Sequence, residues 1–223
     1  TAYAVFMRRK LFTAINLLCI TLTLIVLMVV TALLQNAFHP KGVEGKSDRF
    51  LQVVMMTAKG KDDNGVWNSP LGYKLIDKYL RPLKSVEAVA AVSVPETVSV
   101  YQSDRVHELQ MRRADAAYWT ILDFKVVDGR VPSADDVERG RFVAVLNQNS
   151  AKKIFSSEKA VGKKLAISGQ QFEIIGVVED VLQMNSFADI WAPVTTYPSS
   201  GYRNLLIGHF TALLLAKSPS DLA

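Results

Sequence analysis

The sequence predicts an α+β protein in which one N-terminal transmembrane helix precedes a mixed α/β subdomain and a β-rich subdomain. Residues 11–34 form an uncharged, apolar run. At about 1.5 Å per helical residue, this run is long enough to cross a hydrocarbon core of about 30 Å. A strand–helix–strand pattern follows over residues 50–94. Short β-rich segments bounded by turn residues then dominate residues 97–216.

The apolar run is expected to be an uncleaved membrane anchor in the lipid bilayer. It is longer than the apolar core of a signal peptide, and no small-x-small cleavage site follows it. A buried helix of a soluble protein is the alternative, which the absence of a polar face disfavours. Arg8, Arg9 and Lys10 precede the run, so residues 1–10 are predicted to be cytoplasmic and the main domain extracytoplasmic.

Small and polar side chains share one arc of about 120° on the expected helix. Membrane helices associate through such residues, which permit close approach and hydrogen bonds between helices. The packing interpretation implies that other membrane helices belong to the protein or its complex. The alternative is that the polar groups bond back to their own helix. The residues in the arc are Thr13, Asn16, Cys19, Thr23 and Thr31.

The composition disfavours nucleic-acid, disulfide and metal functions. The net charge is +5, but the basic residues are scattered in pairs without interleaved aromatic residues, so no nucleic-acid partner is expected. The only cysteine, Cys19, lies in the apolar run, which leaves no disulfide or cysteine-ligated metal for the soluble part. His39, His107 and His209 lack the spacing of metal ligands. No cofactor is predicted.

The chain is not expected to be an enzyme. It lacks the P-loop pattern G-x-x-x-x-G-K-[ST], so it is not predicted to bind ATP in that manner. Residues 150–153 match the S-x-x-K motif of penicillin-binding proteins without an S-D-N or K-T-G partner. A membrane-anchored hydrolase using Ser150 is therefore kept only as an alternative. Trp67 follows a turn-rich loop and is the candidate for a contact with a partner, the alternative being a position in the core or at the interface between subdomains.

Residues 50–58 and 86–94 are predicted to be the strands of a βαβ or split βαβ unit. Between them, Ser69 and Pro70 have the pattern of an N-cap and a proline in the first helical turn. Apolar residues at helical spacing continue to Arg81, which predicts an amphipathic helix covering one face of the sheet.

The next residues, 97–113, are expected to form a hairpin that turns at Ser103–Asp104. Its buried face is predicted from the apolar residues Val106, Leu109 and Met111.

Glycine and proline mark three further positions. Asp128–Gly129 is a turn signal, and Gly176 inside a strand indicates a bulge or a close approach of two backbones. Pro193 confines the strand 188–194 to a sheet edge or to a strand end. A short helix is expected over residues 149–155.

Motifs in a fixed order carry a family resemblance. They are Tyr118–Leu122, Val127–Arg130, Val143–Asn147, Ala151, Phe155, Val161–Lys163, Gly169, Phe172 and Ile175–Asp180. This set resembles the MacB-like periplasmic core domain of FtsX/MacB-type ABC transporter permeases, and Arg9–Asn16 is similar to the start of their first membrane helix. The resemblance is strong over residues 118–180 and loose over residues 41–115. Cys19 and Thr23 stand where the family often has glycine, which preserves a small-x-x-x-small spacing.

The resemblance implies a permease subunit that couples ATP hydrolysis by a cytoplasmic ABC ATPase partner to work in the periplasm. It implies a second permease protomer and a location in the bacterial inner membrane. The periplasmic core domain is expected over 41–218, with a mixed α/β subdomain at about 45–100 and 205–218 and a β-rich subdomain at about 101–204. Residues 219–223 are expected to begin a truncated helix. A single-pass sensor or binding module is the alternative.

Overall fold

A computed structural model describes most of the chain in two units, residues 1–41 and 42–223, and each unit is described by itself. The described residues are 10–38, 42–46, 48–59, 65–102, 105–156, 158–181, 183 and 186–222. Residues 1–9, the expected turn at 103–104 and the loop at 60–64 lie outside them.

The described part of the first unit, residues 10–38, forms a helix, α1, from Lys10 to Phe38. Within it, Phe12–Leu33 has a mean hydropathy of 2.5 and is long and apolar enough to cross a membrane by length and composition. The helix expected over residues 11–34 is therefore present and extends a few residues beyond that range. The apolar side chains of this segment are exposed, as lipid-facing or helix-facing groups would be.

The second unit alternates strands with short helices. Its described α-helices are α2 (Tyr73–Leu75, continued by the π-helical segment Ile76–Leu80), α3 (Ala116–Ile121), α4 (Ala134–Glu138) and α5 (Gln148–Phe155). Short 3-10 helices lie at Val194–Thr196, Ser200–Asn204 and Pro219–Leu222. Its strands are β1 (Phe50–Val53), β2 (Met56–Lys59), β3 (Val66–Ser69), β4 (Val86–Ser93), β5 (Glu96–Gln102), β6 (Arg105–Ala114), β7 (Val126–Gly129), β8 (Val143–Asn147), β9 (Lys164–Ile167), β10 (Gln170–Val178), β11 (Ile190–Pro193) and β12 (Phe210–Ala216).

Ten of the described strands form one sheet, and six of them close into a barrel. The pairings run β6–β11–β8–β10–β9–β5, and β5 pairs again with β6. Alternate residues of these strands fill the interior with an apolar cluster that includes Leu109, Met111 and Phe172. Helix α5, the short helix expected over residues 149–155, contributes Ile154 and Phe155 to the same cluster.

Three strands extend the barrel wall into an open sheet in the order β1–β12–β4, and β4 joins β6. Because β12 is antiparallel to both neighbours, β1 and β4 are parallel with a strand inserted between them. This is the split βαβ arrangement, one of the two expected from the sequence. The π-helical segment covers one face through Ile76, and α3 covers the other through Tyr118 and Ile121.

Two local expectations for the first part of this unit were wrong. Residues 50–58 form two strands instead of one, and β2 leaves the main sheet to pair with β3 in a separate two-stranded ribbon. The helix begins at Tyr73 with Gly72 as its N-cap. The helix does not begin at Ser69–Pro70, because Leu71 and Gly72 donate backbone hydrogen bonds to strand β12 and the segment before it.

The hairpin β5–β6 is confirmed, but one of its predicted buried residues is wrong. Leu109 and Met111 are buried, whereas Val106 is 58% exposed. Side chains alternate between faces along a strand, so an even-numbered residue of β6 cannot share the face of residues 109 and 111.

The predictions made from glycine and proline have different outcomes in the structure. Asp128–Gly129 lies at the end of β7, which pairs with β10, and is not a hairpin turn. Pro193 is the last residue of β11, a strand with neighbours on both sides, so the strand-end expectation is confirmed. Helix α4 was not predicted, although Ser133 and Asp136 form its capping box.

Candidate functional site

The motifs at Val127–Arg130 and Ile175–Asp180 meet where strand β7 pairs with strand β10. In this antiparallel pairing Gly129 lies opposite Gly176. A Cβ atom on Gly129 would lie 2.1 Å from the Ile175 carbonyl oxygen, and one on Gly176 would lie 2.1 Å from the Arg130 carbonyl oxygen. Gly129 also has a φ of +73°. The two backbones therefore approach so closely that only glycine fits at either position, which confirms the close approach expected at Gly176.

Near the pairing of β7 with β10, the carboxylate of Asp136 is fully buried and accepts several hydrogen bonds. Arg130 and Arg141 form ion pairs with its carboxylate, and the backbone N–H and hydroxyl of Ser133 donate to it at 2.9 and 2.8 Å. These hydrogen bonds, above all the one from Arg130, hold the pKa of Asp136 well below its usual range. The motif residues at 127–130 thus stabilise the loop between β7 and β8.

Ser150 lies in the hydrogen-bond network that joins α5 to the barrel. Its backbone N–H donates to the Asn147 side chain at 2.7 Å, and its buried hydroxyl donates to Asp189 at 3.0 Å. Asp189 in turn accepts from the backbone N–H of Gln110 at 2.8 Å. The hydroxyl of the S-x-x-K match is therefore engaged in holding three barrel elements together.

We expect Ser150→Ala to lower the free energy of unfolding by about 1 kcal/mol, because Asp189 loses one of its donors. Urea titration of the full chain in detergent micelles, followed by near-UV circular dichroism, measures this. Substituting the exposed hydroxyl of Ser220 by alanine is the control and should change little. A hydrolytic activity that disappears in Ser150→Ala while stability is unchanged would contradict this structural assignment.

The residues predicted to pack a membrane helix all lie on α1. The hydroxyls of Thr23 and Thr31 donate to the carbonyls of Cys19 and Leu27, each at 2.8 Å, as does that of Thr21 outside the arc to Leu17. Back-bonding, the alternative given by the sequence, therefore occurs. It does not exclude packing, since a hydroxyl that donates to its own helix can still accept a bond.

Trp67 lies on the ribbon β2–β3 and is 47% exposed. It pairs with Ala58, and Met56 pairs with Ser69, so Met56, Ala58 and Trp67 share one face. The opposite face carries Thr57, Lys59, Val66 and Asn68, with a hydrogen bond from Thr57 to Asn68 at 2.8 Å. An isolated two-stranded ribbon is marginally stable in water, so its apolar face is suited to a partner. The sequence indicated the exposed tryptophan but not the ribbon.

A second constellation, which the sequence did not indicate, surrounds Asp115. This buried carboxylate accepts from Arg81 at 2.7 Å and from the backbone N–H of Ala91 at 2.8 Å, and it caps α3. Burial raises the pKa of Asp115, and the hydrogen bond from Ala91 and the charge of Arg81 partly oppose that rise. Among the described residues, no group of three or more His, Cys, Asp or Glu could hold a metal ion.

The family profile of the MacB-like periplasmic core domain matches residues 13–223. The chain belongs to this family. The MacB-like core domain is a component of ABC transporter permeases, so the resemblance drawn from the motifs is confirmed.

Curated relatives of this MacB-like chain come from several bacteria. The uncharacterized ABC transporter permease YknZ of Bacillus subtilis is 26% identical over 125 residues, which cover 54% of this chain and 32% of YknZ. The macrolide export ATP-binding/permease protein MacB of Aggregatibacter actinomycetemcomitans is 31% identical over 83 residues, which cover 35% of this chain and 13% of MacB. The chain therefore matches about a third or less of the length of these relatives.

Solved structures show the same fold at low sequence identity. The extracellular domain of the noncanonic ABC-type transporter YknZ from Gram-positive bacteria has a TM-score of 0.60 at 15% identity, covering 77% of this chain and 87% of that one. The periplasmic region of MacB from Actinobacillus actinomycetemcomitans has a TM-score of 0.58 at 17% identity, covering 79% and 77%. The predicted fold class, an apolar helix followed by a mixed α/β domain, is confirmed.

Proposed function

We propose that this chain is the first membrane helix and periplasmic domain of a permease subunit in the bacterial inner membrane, with a cytoplasmic N-terminus. In this proposal a cytoplasmic ABC ATPase partner hydrolyses ATP, two permease protomers act together, and the work is done in the periplasm. The family membership over residues 13–223 carries the proposal. The apolar segment Phe12–Leu33 supports it, because such a helix can transmit motion across a bilayer.

The proposal is tested by expressing the permease gene together with the gene of a candidate ABC ATPase from the same genome and purifying both proteins in detergent. We expect the ATPase to co-purify with the permease and to hydrolyse ATP faster in proteoliposomes that contain both. A permease that purifies alone and leaves the ATPase rate unchanged would contradict the coupling.

The packing arc on α1 allows a matched comparison of two threonines. Thr23 lies in the arc and Thr21 outside it, and each hydroxyl donates to its own helix at 2.8 Å. We expect Thr23→Leu to weaken co-purification of the protomers and to lower coupled ATP hydrolysis several-fold, because the larger side chain blocks close helix approach. Thr21→Leu should leave both measurements near the wild-type values. Equal effects of the two substitutions would contradict the packing arc.

We also propose that the apolar face of the ribbon β2–β3 contacts a partner protein in the periplasm. Trp67 is large, aromatic and exposed, the features of residues that dominate protein interfaces. Trp67→Ala is expected to lower the coupled activity of the complete transporter about tenfold or more without unfolding it. Tyr101→Ala is the control, since Tyr101 is exposed to a similar extent, 51%, on strand β5. Unchanged activity in Trp67→Ala would contradict the contact.

We further propose the division of the domain into a mixed α/β subdomain at about 45–100 and 205–218 and a β-rich subdomain at about 101–204. The sheet topology supports this division. The strands of the open sheet, β1, β4 and β12, all lie within 45–100 and 205–218. Most barrel strands come from the second range. Independent opening of the two parts in hydrogen exchange would test the division.

A further inference from the structure

An open pocket of about 370 Å³ lies beside Asp115, and its lining carries charges of both signs. Arg81 and Arg203 contribute guanidinium groups, and Asp115 and Glu138 contribute carboxylates. Three small side chains, those of Ala116, Ala117 and Ala134, also line the pocket and leave its interior open. The volume is within the range of small-molecule sites.

The charged residues that line this pocket differ in whether they have an ion-pair partner. Asp115 and Arg81 neutralise each other at 2.7 Å, and Arg81 also pairs with Asp77 at 3.3 Å. Arg203, by contrast, has no carboxylate within ion-pair distance among the described residues and donates only to the Tyr202 hydroxyl at 3.2 Å. Glu138 likewise has no ion-pair partner among the described residues. With respect to the described part of the chain, the pocket is therefore lined by one cation and one anion that have no ion-pair partner.

A tyrosine adds a hydrogen-bonding group next to Arg203. The Tyr73 hydroxyl accepts from Arg81 at 3.3 Å, which leaves its own proton available to a ligand. Its ring packs edge-on against Tyr202 with centroids 5.2 Å apart, and Tyr202 is the residue that Arg203 contacts. Burial raises the pKa of Tyr73, so the hydroxyl keeps its proton at neutral pH.

The geometry of the adjoining helix also distinguishes this site. Residues Ile76–Leu80 form a π-helical segment, and the backbone N–H of Arg81 donates to the carbonyl of Ile76 at 3.1 Å. π-Helical segments are rare and occur frequently at functional sites. Here the segment ends at the arginine that anchors the buried carboxylate of the pocket.

We propose that this pocket binds a small zwitterion of amino-acid or dipeptide size. Its carboxylate is bound by Arg203 and the Tyr73 hydroxyl, and its ammonium group by Glu138. Charge-assisted hydrogen bonds at both ends of the ligand would select against molecules that carry only one of the two charges. This inference does not depend on the transport function proposed above.

Calorimetric titration of the full chain in detergent micelles tests the proposal with three matched probes. Glycylglycine carries both charges, N-acetylglycylglycine only the carboxylate, and glycylglycinamide only the ammonium group. We expect glycylglycine to bind with a dissociation constant on the order of 1 mM and each blocked probe to bind at least about tenfold more weakly. No binding of glycylglycine, or equal binding of a blocked probe, would overturn the proposal.

Two variants assign the binding to this pocket. Arg203→Gln and Glu138→Gln are each expected to weaken glycylglycine binding by about tenfold or more, and both residues are exposed, so the fold is retained. Arg139→Gln is the control, because Arg139 neighbours Glu138 but pairs with Asp135 and does not line the pocket. Unchanged affinity in both glutamine variants, or an equal loss in the control, would also overturn the proposal.

Discussion

Gly129→Ala is expected to destabilise the domain by more than about 4 kcal/mol, the largest effect of any single substitution considered for this chain. The added methyl group would lie 2.1 Å from the Ile175 carbonyl oxygen, a backbone atom that cannot swing aside. Relief requires β7 and β10 to separate, which breaks their pairing at Gly129–Gly176. Urea titration of the full chain in micelles, followed by the fluorescence of buried Trp191, measures the loss.

Gly169→Ala separates backbone strain from this steric clash. Gly169 also has a positive φ, +82°, but a Cβ atom there would meet nothing within 4 Å. The strain alone is worth about 1–2 kcal/mol. A loss at Gly129 no greater than the loss at Gly169 would show that the strands can separate cheaply. The close approach would then not be the reason for glycine in the Val127–Arg130 motif.

Asp136→Asn is expected to cost about 2–3 kcal/mol at neutral pH, because it leaves Arg130 and Arg141 without the buried charge that they surround. The value lies below that of a fully buried ion pair, since both arginines are about half exposed. Asp135→Asn is the matched control. The Asp135 carboxylate is half exposed in its ion pairs with Arg139 and Arg141, so its removal should cost less than about 1 kcal/mol.

The stabilisation by Asp136 should also depend on pH with a definite sign. Its pKa is lower in the folded chain than the ordinary value of 3.8, so the unfolded chain takes up the proton first as the pH falls. The contribution is therefore fully present above about pH 4 and is lost progressively as the pH falls towards the folded pKa. The difference in stability between the wild type and Asp136→Asn should shrink accordingly. A constant difference between pH 7 and pH 3 would contradict the assignment.

Asp115 should act in the opposite direction, because burial raises its pKa above the ordinary value. The folded chain then binds the Asp115 proton more tightly than the unfolded chain does. The contribution of Asp115 to the free energy of unfolding therefore falls as the pH rises from the ordinary pKa of 3.8 to the higher pKa of the folded chain. The stability profile of the wild type sums both effects. Comparing it with Asp136→Asn isolates the Asp136 contribution.

Local sequence patterns predicted those parts of the fold that depend on near neighbours. The uncharged run predicted α1, since backbone groups in lipid must bond within their own helix. Short β-rich segments bounded by turn residues predicted most strands, and Gly176 indicated a bulge or a close backbone approach. The ordered motifs from Tyr118 to Asp180 were sufficient to identify the family, because its glycine and charge positions recur in sequence order.

Long-range pairing decided the remainder. The sequence favoured a helix from Pro70, but hydrogen bonds from Leu71 and Gly72 to residues 206 and 210 delay it. The pocket likewise combines Tyr73, Glu138 and Arg203 from distant parts of the chain. The sequence by itself therefore determined the N-terminal apolar helix, the family and most of the individual strands. Tertiary structure decided the barrel, the ribbon and the pocket, because residues brought together from far apart leave no periodic signal in either segment.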